Sequence, residues 1–207
     1  MEMTWAGLAV MGFVLGSIPF SLLLVRWQRG LDVRSYGDGN PGAANAWKAG
    51  GFRTGMAAGV LDFLKGAVPV GLARFFVGTG GWRIIPVAVA PLLGSAFSPF
   101  LRFRGGKSIA VTFGIWTGLL MFEGPLALGL CLAFFSAFLA SDAWSAMLGF
   151  TGFLAYLIIR RAEPEMLAVW AVNALVLAWK HAPDLRRPLR PRTFLHRPAG
   201  RTTGGLK

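Results

Sequence analysis

Apolar residues in this chain come in long unbroken runs, not in the spaced stripes of a soluble amphipathic helix. Residues 4–25 (TWAGLAVMGFVLGSIPFSLLLV) contain no charge, residues 108–140 contain one, Glu123, and residues 143–159 and 166–179 contain none. A helix needs about 20 mostly apolar residues to cross the hydrocarbon of a bilayer. One such run can be the core helix of a soluble protein; several in one short chain cannot. The glycines and prolines inside the runs are of the kind membrane helices tolerate. The pattern predicts seven helices, over 4–25, 54–77, 84–100, 108–122, 125–140, 143–159 and 165–181, with the fourth and fifth separated at Glu123-Gly124-Pro125. The expected fold class is all-α: a polytopic integral membrane protein of about seven transmembrane helices with glycine-rich cytoplasmic loops. One domain is expected over 1–185, followed by a basic, disordered tail over 186–207. The first run has only Glu2 before it, no basic stretch, and is longer than the apolar centre of a signal peptide, so it is expected to be a retained span.

Composition agrees. The chain is 55% hydrophobic and 14% charged over 207 residues, with mean hydropathy +0.57, too little polar surface for a soluble domain of this size. Charge adds an orientation. One set of loops carries Arg26, Arg29, Arg34, Lys48, Arg53, Arg102, Arg104, Lys107 and the basic tail, including Arg197, Arg201 and Lys207. The other side carries Arg83, Arg160 and Arg161 with Glu2, Glu123, Glu163 and Glu165. The basic side is expected to be cytoplasmic, with the N-terminus outside and the C-terminus inside. The net charge of +12 raises nucleic acid as a partner. A juxtamembrane basic tail rich in Pro and Gly is better matched to anionic lipid headgroups, so lipid and not nucleic acid is expected. The single Cys131 excludes a disulfide within the chain and is read as packing.

Candidate chemistry is concentrated in Leu31–Gly51 (LDVRSYGDGNPGAANAWKAGG). Gly37, Gly39, Gly42, Gly50 and Gly51 surround Asn40, Asn45 and Lys48, and such glycines let successive backbone N–H groups converge on an anion. A second stretch, Arg102–Lys107 (RFRGGK), sets Gly105-Gly106 and Lys107 just before the fourth span, where the helix dipole favours an anion. Two such loops on one membrane face point to a phosphorylated ligand, although the spacing of a nucleotide P-loop is absent. Asp62 and Lys65, three apart in the second span, are expected to pair with each other or with a partner. Ser141, Asp142, His181 and Asp184 fall on the same face as the glycine loops.

Together these residues resemble the bacterial acyl-phosphate:glycerol-3-phosphate acyltransferase family, the PlsY type. The resemblance runs from Gly16 to about Arg187. It rests on Gly16-Ser17-Ile18-Pro19-Phe20, Asp32-Val33-Arg34, Gly37–Asn45, Asp62-Phe63-Leu64-Lys65-Gly66 and Phe103-Arg104-Gly105-Gly106-Lys107. It implies a seven-span enzyme that moves an acyl chain from acyl phosphate to the 1-hydroxyl of glycerol 3-phosphate, giving lysophosphatidic acid. It implies Lys107, His181 and Ser141 as catalytic residues. The implied binding residues are Gly37, Asp38, Gly39, Asn40, Gly42, Asn45, Lys48, Gly105, Gly106 and Asp184. The implied partners are acyl phosphate, glycerol 3-phosphate, membrane lipids and the enzyme that forms the acyl phosphate. The implied location is the bacterial plasma membrane. An activated donor requires no metal and no cofactor.

The chain departs from the family pattern at several of these positions. The family usually has Ser at Asp38, Thr at Ala44, Arg at Lys48, His at Ser95, Gly at Ser108 and Asn at Asp184, and its Gly-x-Glu ending is absent. A carboxylate in a phosphate nest repels the ligand unless it is protonated or paired, with Lys48 or Lys107. Two further readings therefore stand beside the first: a non-catalytic or altered-specificity paralogue binding an anionic lipid or phosphorylated ligand, and, remotely, a small transporter, which the absence of paired halves disfavours.

Overall fold

The computed structural model describes residues 4–192; Glu2 and the tail from 193 to 207, with Arg197, Arg201 and Lys207, lie outside the described residues. Among those described, all regular structure is helical, and each predicted span is a helix or a pair of helices. The first run divides in two, α1 Trp5–Ser17 and α2 Phe20–Arg29. Pro19 causes the break: it has no N–H to donate, and it forces Ile18 into an extended conformation. α2 ends where Gly30 turns left-handed at φ 67°.

A short helix, α3 Ala43–Gly50, occupies the segment expected to be a loop. Four alanines supply the propensity, and Gly51, at φ 85°, stops it. The remaining helices follow the predicted spans. They are α4 Phe52–Gly71, extended by a wide turn through Phe76, α5 Ile84–Ala96, α6 Ile109–Leu120, α7 Glu123–Phe138, α8 Asp142–Ile159 and α9 Pro164–Leu185. The reversal between α6 and α7 falls at Met121-Phe122, just ahead of the predicted break. Gly124-Pro125 instead sits in the first turn of α7, where a proline costs no hydrogen bond.

Four segments, Trp5–Arg29, Phe52–Phe76, Gly81–Leu101 and Asp142–Ile159, are each long and apolar enough to cross a membrane, and α6 and α7 are shorter apolar helices. Two crossings organise the bundle. α1 packs on α5 with Gly16 against the backbone of Pro91 and Gly94 against the carbonyl of Phe13. α4 packs on α6 with Gly66 against Val111 and Ile115 and Gly114 against the carbonyl of Phe63, so neither crossing has room for a methyl group. In lipid, where apolar burial gives no driving force, such close approach supplies the packing. Trp116, Phe150, Phe153 and Leu177 fill the centre, while Val10, Leu126, Leu130 and Leu175 are exposed on the outside, as a lipid-facing surface requires.

Of the two expected pairings, Asp62 and Lys65 make the one with each other, at 2.6 Å, with the ammonium 5.0 Å over the Phe20 ring. At the other end of the bundle Glu123 accepts from Tyr156 and Arg160, and Arg74 pairs with Glu163. The first residues of the expected disordered tail are held in place. Ala140 donates to the carbonyl of Arg190 at 3.0 Å, Arg192 donates to that of Phe138 at 2.7 Å, and Leu139 pairs with Pro191. The Trp144 indole fixes Arg187 through its carbonyl at 3.0 Å.

Candidate functional site

The glycine segment is shaped by its own side chains before it meets any other element. Asp32 accepts the Arg34 backbone N–H at 2.9 Å and its guanidinium at 2.6 Å, and these contacts with Arg34 hold its carboxyl down at about 2. Gly37 and Gly39 then take positive φ, 60° and 75°. At Gly37 a side chain would collide with Asn45 and with the Lys48 ammonium. Asn45 is buried and ties the turn together: its amide donates to Asp38 at 2.7 Å and to the Asn40 carbonyl at 2.9 Å.

The turn delivers the chain to α3 with Gly42 at the N-cap position, where no side chain bonds the first N–H groups. α6 begins in the same condition. Ser108 precedes it at φ 61°, and its hydroxyl bonds Ser95 at 3.1 Å instead of capping the helix. The first turns of both helices, Ala43-Ala44 and Ile109-Ala110, line one cavity of about 590 Å³. An uncapped helix start offers unsatisfied N–H groups and the positive end of its dipole. Two of them opening on one cavity can hold two phosphate-like groups. Asn40, Asn45, Lys107 and His181 add polar groups, beside the carboxylates of Asp38, Asp62 and Asp142, and Val111, Phe113, Leu132 and Ala146 line an apolar part between α6, α7 and α8.

Gly105-Gly106 approaches protein backbone, not open space. Gly105 lies against the Ser95 carbonyl, and Gly106 donates to that carbonyl at 3.1 Å while facing the carbonyl of Pro41. The two glycines thus press the start of α6 against α5 and against the glycine turn, and this carries Lys107 to Asp38. The ammonium lies 2.6 Å from Asp38 and 2.7 Å from Asp184. Burial alone would raise the Asp38 carboxyl, but Lys107, the Asn45 amide and the Asn40 N–H together bring it down to about 2. Burial would lower Lys107; its bonds to Asp184 and Asp38 raise it instead.

His181 is 3% exposed, lines the cavity, and has Nδ1 2.8 Å from the Leu177 carbonyl. A carbonyl only accepts, so Nδ1 carries the proton and Nε2 of the neutral ring is left to accept one. Ser141 is placed differently: it is the N-cap of α8, accepting Trp144 N–H at 3.5 Å, and it lines a second cavity of about 450 Å³. Asp38, Lys107, Asp184, Arg187 and Arg190 line that cavity too, so Asp38 and Lys107 stand between the two. Lys48 is exposed, its ammonium beside Gly37, and it lines neither cavity.

Asp62 and Asp142 line the larger cavity, and Arg187 and Arg190 the smaller. Asp62 carried a sequence signal, a charge inside an apolar run, but none for the direction it faces. The two arginines looked like tail charge because nothing in the sequence marks the pairing with residues 138–140.

The family model described as Glycerol-3-phosphate acyltransferase matches residues 6–190. Glycerol-3-phosphate acyltransferase 1 of Thermotoga maritima is 36% identical over 195 residues, 86% of this chain and 94% of that protein. The glycerol-3-phosphate acyltransferase of Rubrobacter xylanophilus is 36% identical over 203 residues, 96% and 97% of the two chains. Among solved structures, the integral membrane glycerol 3-phosphate acyltransferase PlsY in its glycerol 3-phosphate form superposes with a TM-score of 0.80 at 24% identity. The match covers 88% of this chain and 90% of that one, a likeness of fold.

Proposed function

This chain belongs to the glycerol-3-phosphate acyltransferase family, and from that premise we propose that it transfers an acyl chain from acyl phosphate to the 1-hydroxyl of glycerol 3-phosphate. The products are lysophosphatidic acid and inorganic phosphate. One observation carries the reading: two uncapped helix starts and an ammonium group share a cavity whose other part is apolar. Donor and acceptor each bring a phosphate, and the donor also brings a hydrocarbon chain. The starts of α3 and α6 with Lys107 take the phosphates. The apolar walls of α6, α7 and α8 take the acyl chain.

In the reaction the acceptor hydroxyl oxygen bonds the acyl carbonyl carbon, and the bond from that carbon to the phosphate oxygen breaks. The leaving group is already stable, so holding the two substrates together supplies much of the rate. Lys107 and the N–H groups at the start of α6 stabilise the oxyanion formed on the way. His181 Nε2 orients the hydroxyl and accepts its proton. Ser141 acts by fixing the start of α8 beside the site. Lys48 and the glycine turn attract phosphate from the aqueous side. The basic loops face the cytoplasm in a bacterial plasma membrane, where a soluble or peripheral enzyme delivers the acyl phosphate and anionic lipids hold the basic tail.

The test is purified protein in nanodiscs given acyl phosphate and glycerol 3-phosphate, with lysophosphatidic acid followed over time. Acyl-carrier-protein and coenzyme A thioesters run beside it as donors. Product from acyl phosphate alone supports the reading; product only from a thioester, or none from any donor, defeats it.

A further inference from the structure

Lys107 is the one lysine among the described residues that lines the anion-binding cavity, and it is already taken. Asp38 and Asp184 hold it at 2.6 and 2.7 Å, from the glycine turn on one side and from α9 on the other. Asp38 is itself fixed by the Asn45 amide at 2.7 Å and the Asn40 N–H at 3.1 Å, donors suited to a phosphate oxygen. The three side chains carry a net single negative charge at the point where the larger cavity meets the smaller.

We propose that Asp38 and Asp184 form a gate on Lys107 that admits the acceptor phosphate as its singly protonated monoanion and holds back the dianion. The proposal rests on glycerol 3-phosphate being the acceptor. A dianion placed here brings two more negative charges against two carboxylates and one ammonium, and like charges in a partly buried site disfavour each other. A monoanion fits. Its P–O⁻ takes a share of Lys107, and its P–OH donates to one of the carboxylates as a strong charge-assisted hydrogen bond. The proton resides on the phosphate and not on Asp38, because Lys107, Asn45 and Asn40 keep that carboxyl ionised down to about 2 despite its burial. Other charged groups face this point from every side. Asp142 comes from α8, His181 from α9, Arg187 and Arg190 from the C-terminal segment and Asp62 from α4, while Lys48 on α3 lies outside both cavities beside Gly37. Of these the His181 imidazole has an open Nε2 that can also take up a proton, so the experiment must separate the two.

A phosphate monoester loses its second proton near pH 6, so its monoanion falls from about half of the total at pH 6 to about a hundredth at pH 8. Glycerol 3-phosphate is titrated by calorimetry into the full-length protein in nanodiscs at both values, in buffers of different ionisation heat, and KM is measured in parallel. The expected result is a Kd and a KM at least about tenfold weaker at pH 8, with close to one proton taken up per ligand bound at pH 8. In Asp38→Ser/Asp184→Asn, which keeps His181, the pH ratio is expected to fall below about threefold and the uptake to disappear. Asp38→Asn/Asp184→Asn, closer in shape, gives the same reading if the serine variant does not accumulate. Binding without proton uptake in the parent protein overturns the gate, and so does uptake that persists in the double variant, which would assign the proton to His181. A parent that binds with uptake but transfers no acyl chain keeps the gate and defeats the transfer reading. One that transfers with a pH-independent KM does the reverse.

Discussion

Asp38, Lys107 and Asp184 give the single positions of the site their sharpest tests. Lys107→Ala removes the ammonium that faces both helix starts, and turnover is expected to fall at least about a hundredfold, the usual cost of one preorganised charge-stabilising group. Lys107→Arg is expected to recover little, since a planar guanidinium must fit beside Gly105-Gly106 and between two carboxylates. Steady-state kinetics on protein shown to be membrane-inserted decides this; wild-type turnover in the alanine variant at all substrate concentrations would remove Lys107 from the site. Asp38 also ties the turn to folding. Its folded carboxyl titrates at about 2, below the ordinary aspartate value near 4. Its stabilising contribution is therefore present above about pH 4 and lost as pH falls toward 2, and Asp38→Ser should flatten acid unfolding in that window. Position by position, the sequence told an uneven story. The glycine turn and Lys107 were legible because local backbone needs leave local residues, whereas Gly105-Gly106, expected to approach an anion, pack on protein backbone. The partnership of Asp38 with Lys107 was one of two open options, and α3 decides it by turning Lys48 away from the cavity. Asp184 as the second partner, 77 positions along, and the Ser95–Ser108 bond were not legible, since only helix packing brings them together.

Helix ends decide more here than helix interiors. α8 has a side-chain cap, Ser141, while α3 and α6, whose first turns also line the larger cavity, have none. Ser141→Ala is expected to lower stability by about 0.5–1 kcal/mol and Ser141→Thr to restore it. The thermal midpoint in detergent measures that effect. A large fall in kcat with no change in midpoint would instead make Ser141 a catalytic residue. The spans were legible because a run of apolar residues, bounded by charge, leaves no competing structure in lipid. Their ends were less so. α3 is too short to show a period, and the reversal at Met121-Phe122 follows from how α6 and α7 pack, not from the Glu123-Gly124-Pro125 sequence that drew attention to the place.

At the scale of the molecule, the basic loops set the expected orientation. Single cysteines at Arg29, Arg104 and Arg192, in a protein without Cys131, should resist an impermeant thiol reagent applied to intact cells. Labelling of all three from outside would invert the topology. The two glycine crossings carry a different consequence, for biogenesis. α1 meets its partner α5 only after some seventy further residues have been made, roughly 4–14 s at ordinary rates of synthesis. Until then α1 must wait in the translocon or the bilayer without that partner, and a segment without a single charge can do so. α4 waits for α6 under a harder condition, because it contains Asp62 and Lys65. Their pairing within one turn of the same helix cancels the two charges at the middle of α4 before α6 arrives. The nascent helix thus brings its own counter-ion into the membrane.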